Sequence, residues 1–360
     1  MLDDHTITTV CKVLGGLSTT QLRLDFDISS KVRASYQLLS VDSQPLTFIE
    51  KIIADRPRNL KINMKRLRLQ NFFLTVLLFI ISSSLFGQKL QPKKKLLEPD
   101  TTISSKIMGK DYQLYISFPR GYSTKDTVKY PVLYLLDGRV FFPIIKSARE
   151  VMDFVGELEQ VIIVGIGSGL DGTSWYVNRT YDYTTSKDTA VDRKDEKELG
   201  FPKGTLQSGG AEKFLQCISK EIIPYVDLHY KTNRDRGIAG HSLGGLFAAY
   251  CLLHSKHVFT RYGISSPSLW WNNNEIGNQA DSLFSKNETW NIPPVKIFMS
   301  VGQKEGPLMV PTMTKFSTLL EEKGYKNVTL TWHVFDDETH LSVIPANLSR
   351  TLSVLYGTKK

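Results

Sequence analysis

From residue 100 onward, short and wholly apolar segments alternate with helix-length ones, and this rhythm limits the fold more than any other feature. Pro131–Leu136 (PVLYLL), Val161–Gly165 (VIIVG) and Val295–Val301 (VKIFMSV) are too short for helices and show almost no polar side. Strands of that kind are covered on both faces. Tyr112–Phe118, Arg236–Ala239, Tyr262–Ile264 and Thr329–Phe335 read as further strands. Helices are expected over Phe141–Phe154, Ala211–Asp227, Leu243–His254 (a strongly amphipathic one), Met313–Lys323 and Leu341–Tyr356. The fold class that follows is α/β, a mostly parallel sheet with helices on both faces. Residues 167–209 and 268–292 are too long for simple connections and read as lids or binding walls.

Upstream, residues 72–86 (FFLTVLLFIISSSLF) form an apolar run shorter than the roughly 20 residues a spanning helix needs. Lys65, Arg66 and Arg68 precede it, and Ser82–Ser84 and Gly87 close it. That is a secretory signal peptide beginning at Met64. The expected organisation is a doubtful extension over 1–63, a signal peptide over 64–87, a linker over 88–104 and one catalytic domain over 105–357. The mature product is then periplasmic or secreted, with no stable membrane span once the signal is removed.

The formal net charge of +9 looks like a nucleic-acid signal until it is located. Residues 64–87 hold +3 of it and residues 1–63 hold +1, which leaves +5 for the remainder. No basic stripe with interleaved aromatics occurs there, so no nucleic-acid partner is expected. Three cysteines exclude a disulfide-stapled scaffold.

Gly240-His241-Ser242-Leu243-Gly244 fits G-x-S-x-G and lies between a predicted strand and a predicted helix. The spacing suits a nucleophile elbow. The serine sits on a strained turn, the glycines remove side chains that would clash, and helix N–H groups face the reaction centre. Ser242 is the candidate nucleophile. Its base is expected late in the chain, and His340 lies in the loop after the last strand. Among the other histidines, His254 and His257 sit at a helix end and His333 within a strand. His241 is expected to point away from the serine. Glu305, just past an apolar strand and between Ser242 and His340 in sequence, is the candidate orienting acid. Asp336, Asp337 and Glu338 are its rivals and read as a solvated acidic loop. The oxyanion donors expected are the backbone N–H of Leu243 and, after the strand ending at Leu136, that of Arg139 in Asp137-Gly138-Arg139.

Four segments carry a family resemblance: Leu135-Leu136-Asp137-Gly138, Ser208-Gly209-Gly210-Ala211, Ala239–Gly245 (AGHSLGG) and Ser266–Trp271 (SPSLWW). As a set they resemble the esterase branch of the α/β-hydrolases, above all the periplasmic enterochelin (ferric-siderophore) esterases. Esterase D, feruloyl esterases and mycolyltransferases are its relatives. The likeness covers roughly residues 105–357. Asn178–Thr184 (NRTYDYT) resembles the family's Arg-containing substrate loop, with Thr185 where a proline is usual. The resemblance implies the α/β-hydrolase fold and ester hydrolysis with no metal or cofactor. It also makes Arg179 a candidate contact for an anionic or catecholate substrate, and Trp270 and Trp271 an aromatic wall. The rivals for these roles are a surface salt bridge for the arginine and core packing for the tryptophans.

The expected function is a serine carboxylic-ester hydrolase acting on a small-molecule ester, with a siderophore trilactone or aryl ester as the concrete candidate. An acyltransferase of the same fold and a catalytically inert periplasmic binding protein are the alternatives. The signal-peptide reading is open to N-terminal sequencing of the exported protein. It should begin near Gln88, and a product that retains residues 1–63 contradicts the reading.

Overall fold

In a computed structural model of the protein, residues 97–125 and 127–358 are described. The expected extension, signal peptide and most of the linker therefore lie outside the described residues. The remainder of the linker does not behave as one. Strand β1 (Thr101–Ser105) belongs to the sheet, so the domain starts before residue 105.

The sheet has eight strands: β1, β2 (Lys110–Ser117), β3 (Tyr130–Leu135), β4 (Ile162–Gly167), β5 (Thr232–His241), β6 (Arg261–Ser265), β7 (Val295–Gly302) and β8 (Val328–Phe335). Their order is β1-β2-β4-β3-β5-β6-β7-β8. The β1–β2 and β2–β4 pairs are antiparallel and every other pair is parallel. β4 and β6 are buried along their whole length, as unbroken apolar runs demand, whereas the edge strand β8 alternates between half-buried and exposed.

Nine helices occur among the described residues: α1 (Gly138–Phe154), α2 (Gly172–Tyr183), α3 (Thr189–Leu199), α4 (Ala211–Cys217), α5 (Ile223–His229), α6 (Leu243–His254), α7 (Trp271–Lys286), α8 (Met309–Lys323) and α9 (Ile344–Tyr356). A π-helical turn, Ile218–Ile222, joins α4 to α5. The segment 167–209 therefore holds two helices and 268–292 holds a third. The first two lack an apolar stripe, and the third buries Ile276, Ala280 and Phe284 behind an opening run of asparagines. α2 buries Arg179, Thr180 and Asp182, which a search for apolar periodicity passes over. α3 is polar along most of its length and is set by its ends. Asp188 accepts from the N–H groups of Ala190 and Val191, and Gly200 closes the helix at φ 72°.

Helix α6 corrects the amphipathic expectation. Leu243–Ala249, Cys251 and Leu252 are all buried, because the sheet lies on one side and α2, α4 and α7 pack on the other. Cys217 and Cys251 are free and buried, serving as small apolar fillers. Among the described residues no helix is long and apolar enough to cross a membrane.

Candidate active site

The C-terminal end of β5 runs straight into α6, and Ser242 occupies the corner at φ 63°, ψ −119°. That backbone is strained for any residue with a side chain, and it persists because the surroundings fix it. The N–H of Ser242 donates to Ser265 O at 3.1 Å, and its carbonyl accepts from Leu246 and Ser268 at 3.0 and 3.1 Å. The glycines do unequal work. A Cβ on Gly240 would lie 2.4 Å from Gly244 O, and one on Gly245 would lie 2.5 Å from Ser265 O. A Cβ on Gly244 would come no closer than 3.4 Å to its neighbours. The close approach of helix to sheet thus rests on Gly240 and on Gly245, which lies one residue beyond the G-x-S-x-G pattern.

Ser242 opens into a cavity of roughly 380 Å³ whose walls include His340, Arg179, Trp270, Trp175 and Leu341. Its Oγ lies 3.5 Å from Ser268 Oγ. Among the described residues no hydrogen bond joins Ser242 to His340. Such bonds are often long in a free enzyme and tighten around substrate.

His340 sits in the loop between β8 and α9, and its Nδ1 lies 2.6 Å from Glu305 Oε2. The Glu305 side chain is fully buried. Its other oxygen accepts from Gly302 N at 2.7 Å and from Ser266 Oγ at 2.6 Å. Behind Ser266, Asn347 Nδ2 donates to its hydroxyl at 3.4 Å and Ser300 Oγ donates to Asn347 Oδ1 at 2.6 Å. Ser266, Ser300 and Asn347 were not singled out from the sequence. Only Ser266, inside the SPSLWW segment, carried any signal. The acidic rivals point elsewhere: Asp337 pairs with Lys304 at 2.8 Å in solvent, and Glu338 accepts from Ser342.

The turn after β3 holds the second expected oxyanion donor. Asp137 precedes α1 in the left-handed region at φ 52°, yet its carboxylate does not cap the helix. Arg179 binds it instead, Nε to Oδ1 at 3.0 Å and Nη2 to Oδ2 at 3.1 Å, and Trp175 Nε1 adds a bond of 2.8 Å. Tyr183 OH accepts from the Asp137 N–H at 3.0 Å. A Cβ on Gly138 would meet the β4 backbone at 2.5 Å, so the turn sits hard against that strand. Neither Arg139 N nor Leu243 N donates to a backbone carbonyl among the described residues. Arg139 is half-buried, while Val140 and Phe141 line the cavity.

Arg179 therefore stands differently from expectation. It lines the cavity, but it lies in helix α2 rather than a loop, it is 6% exposed, and Asp137 compensates its charge. The pair is buried, not a surface salt bridge. Both tryptophans line the cavity. Trp270 is half-buried, with Nε1 3.2 Å from Met309 Sδ. Trp271 is 2% exposed and also packs into the core, donating to Ser186 O at 3.1 Å. After them Asn272, Asn273 and Asn274 make a left-handed turn at φ 45°, 56° and 61°. Asparagine tolerates that region better than most residues. Asn272 Nδ2 donates to Ser186 Oγ at 2.8 Å, and Glu275 Oε2 accepts from Thr185 Oγ1 at 2.9 Å and Ser186 Oγ at 2.5 Å. Thr185 thus ties the stretch after α2 to the tryptophan wall.

His241 is the clearest departure from expectation. It does not point away. It is 3% exposed, lines the same cavity, and its ring centroid lies 4.6 Å from that of His340. Burial pushes its pKa down to about 3, aided by its nearness to His340 and to the Arg179 guanidinium. Among the described residues no group of three or more His, Cys, Asp or Glu side chains is placed to hold a metal.

Sheet order, elbow and cavity define an α/β-hydrolase. The particular family follows from comparison: the chain belongs to the one described as "Putative esterase", which matches residues 105–195 and 187–334. It is accordingly a hydrolase acting on esters. Ferri-bacillibactin esterase BesA of Bacillus subtilis is 30% identical over 258 residues, covering 69% of this chain and 86% of that protein. Siderophore enterobactin esterase of Emericella nidulans is 28% identical over 201 residues, covering 54% of this chain and 65% of that protein. Among solved structures, the BES protein from Bacillus cereus is similar with a TM-score of 0.61 at 29% identity, covering 71% of this chain and 94% of that one.

Two measurements check this geometry. Gly245→Ala should lower the thermal midpoint by several degrees, equivalent to about 1–3 kcal/mol of overpacking, while Gly244→Ala shifts it far less. Equal losses would show that the helix approach is not set where described. The second concerns His241. The buried ring stays neutral while the unfolded chain takes up a proton near pH 6.5. Stability should therefore fall as pH drops from about 6.5 towards about 3. Denaturant titrations of the wild type and His241→Phe across that range should show a smaller fall in the variant.

Proposed function

We propose that this esterase works through an acyl-enzyme on Ser242. Ser242 Oγ attacks the ester carbonyl carbon as His340 Nε2 takes its proton. The tetrahedral oxyanion is held by the N–H groups of Leu243 and Arg139. The C–O bond to the alcohol breaks, and His340 returns the proton to the departing oxygen. Water then enters and gives a proton to His340 as its oxygen bonds the acyl carbon. His340 passes that proton to Ser242 Oγ as the bond from the acyl carbon to Oγ breaks, releasing the acid and restoring the free serine. Glu305 holds His340 in the tautomer with Nδ1 protonated and stabilises the imidazolium. The observation that carries the reading is the 2.6 Å contact between His340 and a fully buried carboxylate, on the wall of the cavity into which the strained Ser242 opens.

The substrate proposed is a siderophore trilactone or related aryl ester. Its support is the names of the relatives and an aromatic cavity with Trp175, Tyr176, Phe141 and Trp270 on its walls. A volume of roughly 380 Å³ suits one arm of such an ester, since small-molecule pockets commonly run from about 300 to 1,000 Å³. The charge-compensated Arg179 acts in this scheme by holding the Asp137 turn. The protein is read as exported, on the strength of the signal-like segment at 64–87.

The test is a hydrolysis panel of p-nitrophenyl acetate, ferric siderophores and feruloyl esters, with and without an added acceptor alcohol. Ser242→Ala and His340→Ala should each lower kcat by at least about a thousandfold. Unchanged turnover in Ser242→Ala refutes the mechanism. Acyl transfer to the alcohol in preference to water turns the reading to an acyltransferase, and inertness of the wild type towards every ester overturns it.

A further inference from the structure

His340 is anchored by a single edge. The bond from Nδ1 to Glu305 fixes one nitrogen but leaves the ring free to pivot about it, and the side chain is 37% exposed. A base in this position needs a second contact to keep Nε2 turned towards the serine. A single hydrogen bond at Nδ1 holds one atom and does not by itself resist rotation of the ring about it. The ring packed against His340 is His241, tilted at 39° between planes with 4.6 Å between centroids.

His241 is itself held rigidly. It is the last residue of β5, next to the strained Ser242, and 97% of its surface is buried. Phe141 packs edge-on against it at 5.9 Å and 85°. Among the described residues neither of its ring nitrogens bonds to a side chain. What it presents to the His340 ring is a tilted ring, and its polar edge approaches only the His340 backbone. The charge on each ring also matters. A second imidazolium here would repel the one that forms on His340 when Ser242 gives up its proton, whereas a neutral aromatic face attracts a cation.

We infer that His241 is a positioning residue for the base: its buried ring forms the shelf on which His340 lies, keeping Nε2 on the line to Ser242. This rests on the reading of His340 as the base. The shelf and the nucleophile are consecutive residues at the end of one strand, so any movement of β5 carries both together. The distance that matters for proton transfer is thereby set inside one element on one side of the reaction centre.

The experiment compares His241→Ala, His241→Leu and His241→Phe in the full-length protein, with His340→Ala as the reference. Steady-state kinetics on p-nitrophenyl acetate give kcat and KM separately. Loss of the shelf should lower kcat by about ten- to a hundredfold in His241→Ala, with KM changed by less than about threefold. His241→Phe, which restores a planar ring without nitrogens, should recover most of that loss, and His241→Leu, of similar bulk without a ring face, should recover less. Full activity in His241→Ala overturns the inference while leaving His340 as the base. So does a His241→Phe enzyme as slow as His241→Ala, which would assign the effect to the nitrogens. Should His241→Ala fail to fold by circular dichroism, the comparison of Phe with Leu decides, and equal kcat in those two overturns the inference. Retained activity in His340→Ala removes its premise and is distinguished from the other failures by that variant alone.

Discussion

The carboxylate of Asp137 is the interaction on which the cavity depends. Two nitrogens of Arg179, the indole N–H of Trp175 and, through the adjoining N–H, the hydroxyl of Tyr183 all converge on one residue. Three positions on α2 thereby hold a turn that belongs to the end of β3. Both charged partners are almost wholly buried, so each would be expensive without the other. Removing one member of such a pair commonly costs about 3–5 kcal/mol, because the survivor is left uncompensated. The pairing also explains why Asp137 accepts a left-handed backbone and gives up the capping role that an aspartate at a helix start usually takes. The site is therefore joined to the covering helix by charge, and that helix is tied to the sheet by charge as well, Asp182 accepting from Lys110 Nζ at 2.8 Å and from Tyr112 OH at 2.9 Å on β2.

Much of this molecule was readable in its residues, and the division has physical causes. Apolar runs reported β3, β4 and β7 well because buried parallel strands have no polar face to confuse the pattern. The G-x-S-x-G pattern marked the corner after β5 because its backbone demands small residues at set places. Glu305 and His340 were found by position relative to predicted strands, and the structure brings them to hydrogen-bonding distance. Helices α2 and α3 escape the apolar pattern because they carry polar faces into a wall, whereas α7 buries Ile276, Ala280 and Phe284 only after an opening turn of three asparagines breaks its period. The direction of His241 was misjudged for a related reason. Strand alternation puts neighbours on opposite faces, but the sharp turn at Ser242 breaks the alternation where it matters. The support of Glu305 by Ser266, Ser300 and Asn347 joins residues up to 81 positions apart, and nothing local in the sequence marks them as partners.

Backbone strain gathers at the same end of the sheet. Asp137, Ser242 and Ser266 all have positive φ. Each is fixed by bonds from a neighbouring element, Asp137 by Arg179 and Tyr183, Ser242 by Ser265 and Ser268, and Ser266 by Ser300 and Glu305. Conformations of this kind cost stability, and a fold keeps them where aim matters more than comfort.

The tie between the two cavity walls has a consequence for how a substrate is received. Thr185 and Ser186, following α2, are bonded to Trp271, Asn272 and Glu275. Segments of this length would ordinarily be loose in a free enzyme and would have to be ordered by whatever binds. Here that loss of conformational freedom is already met during folding, by bonds that involve no ligand. An incoming ester meets a vessel whose shape is set in advance, so discrimination among esters falls to fit and not to closure.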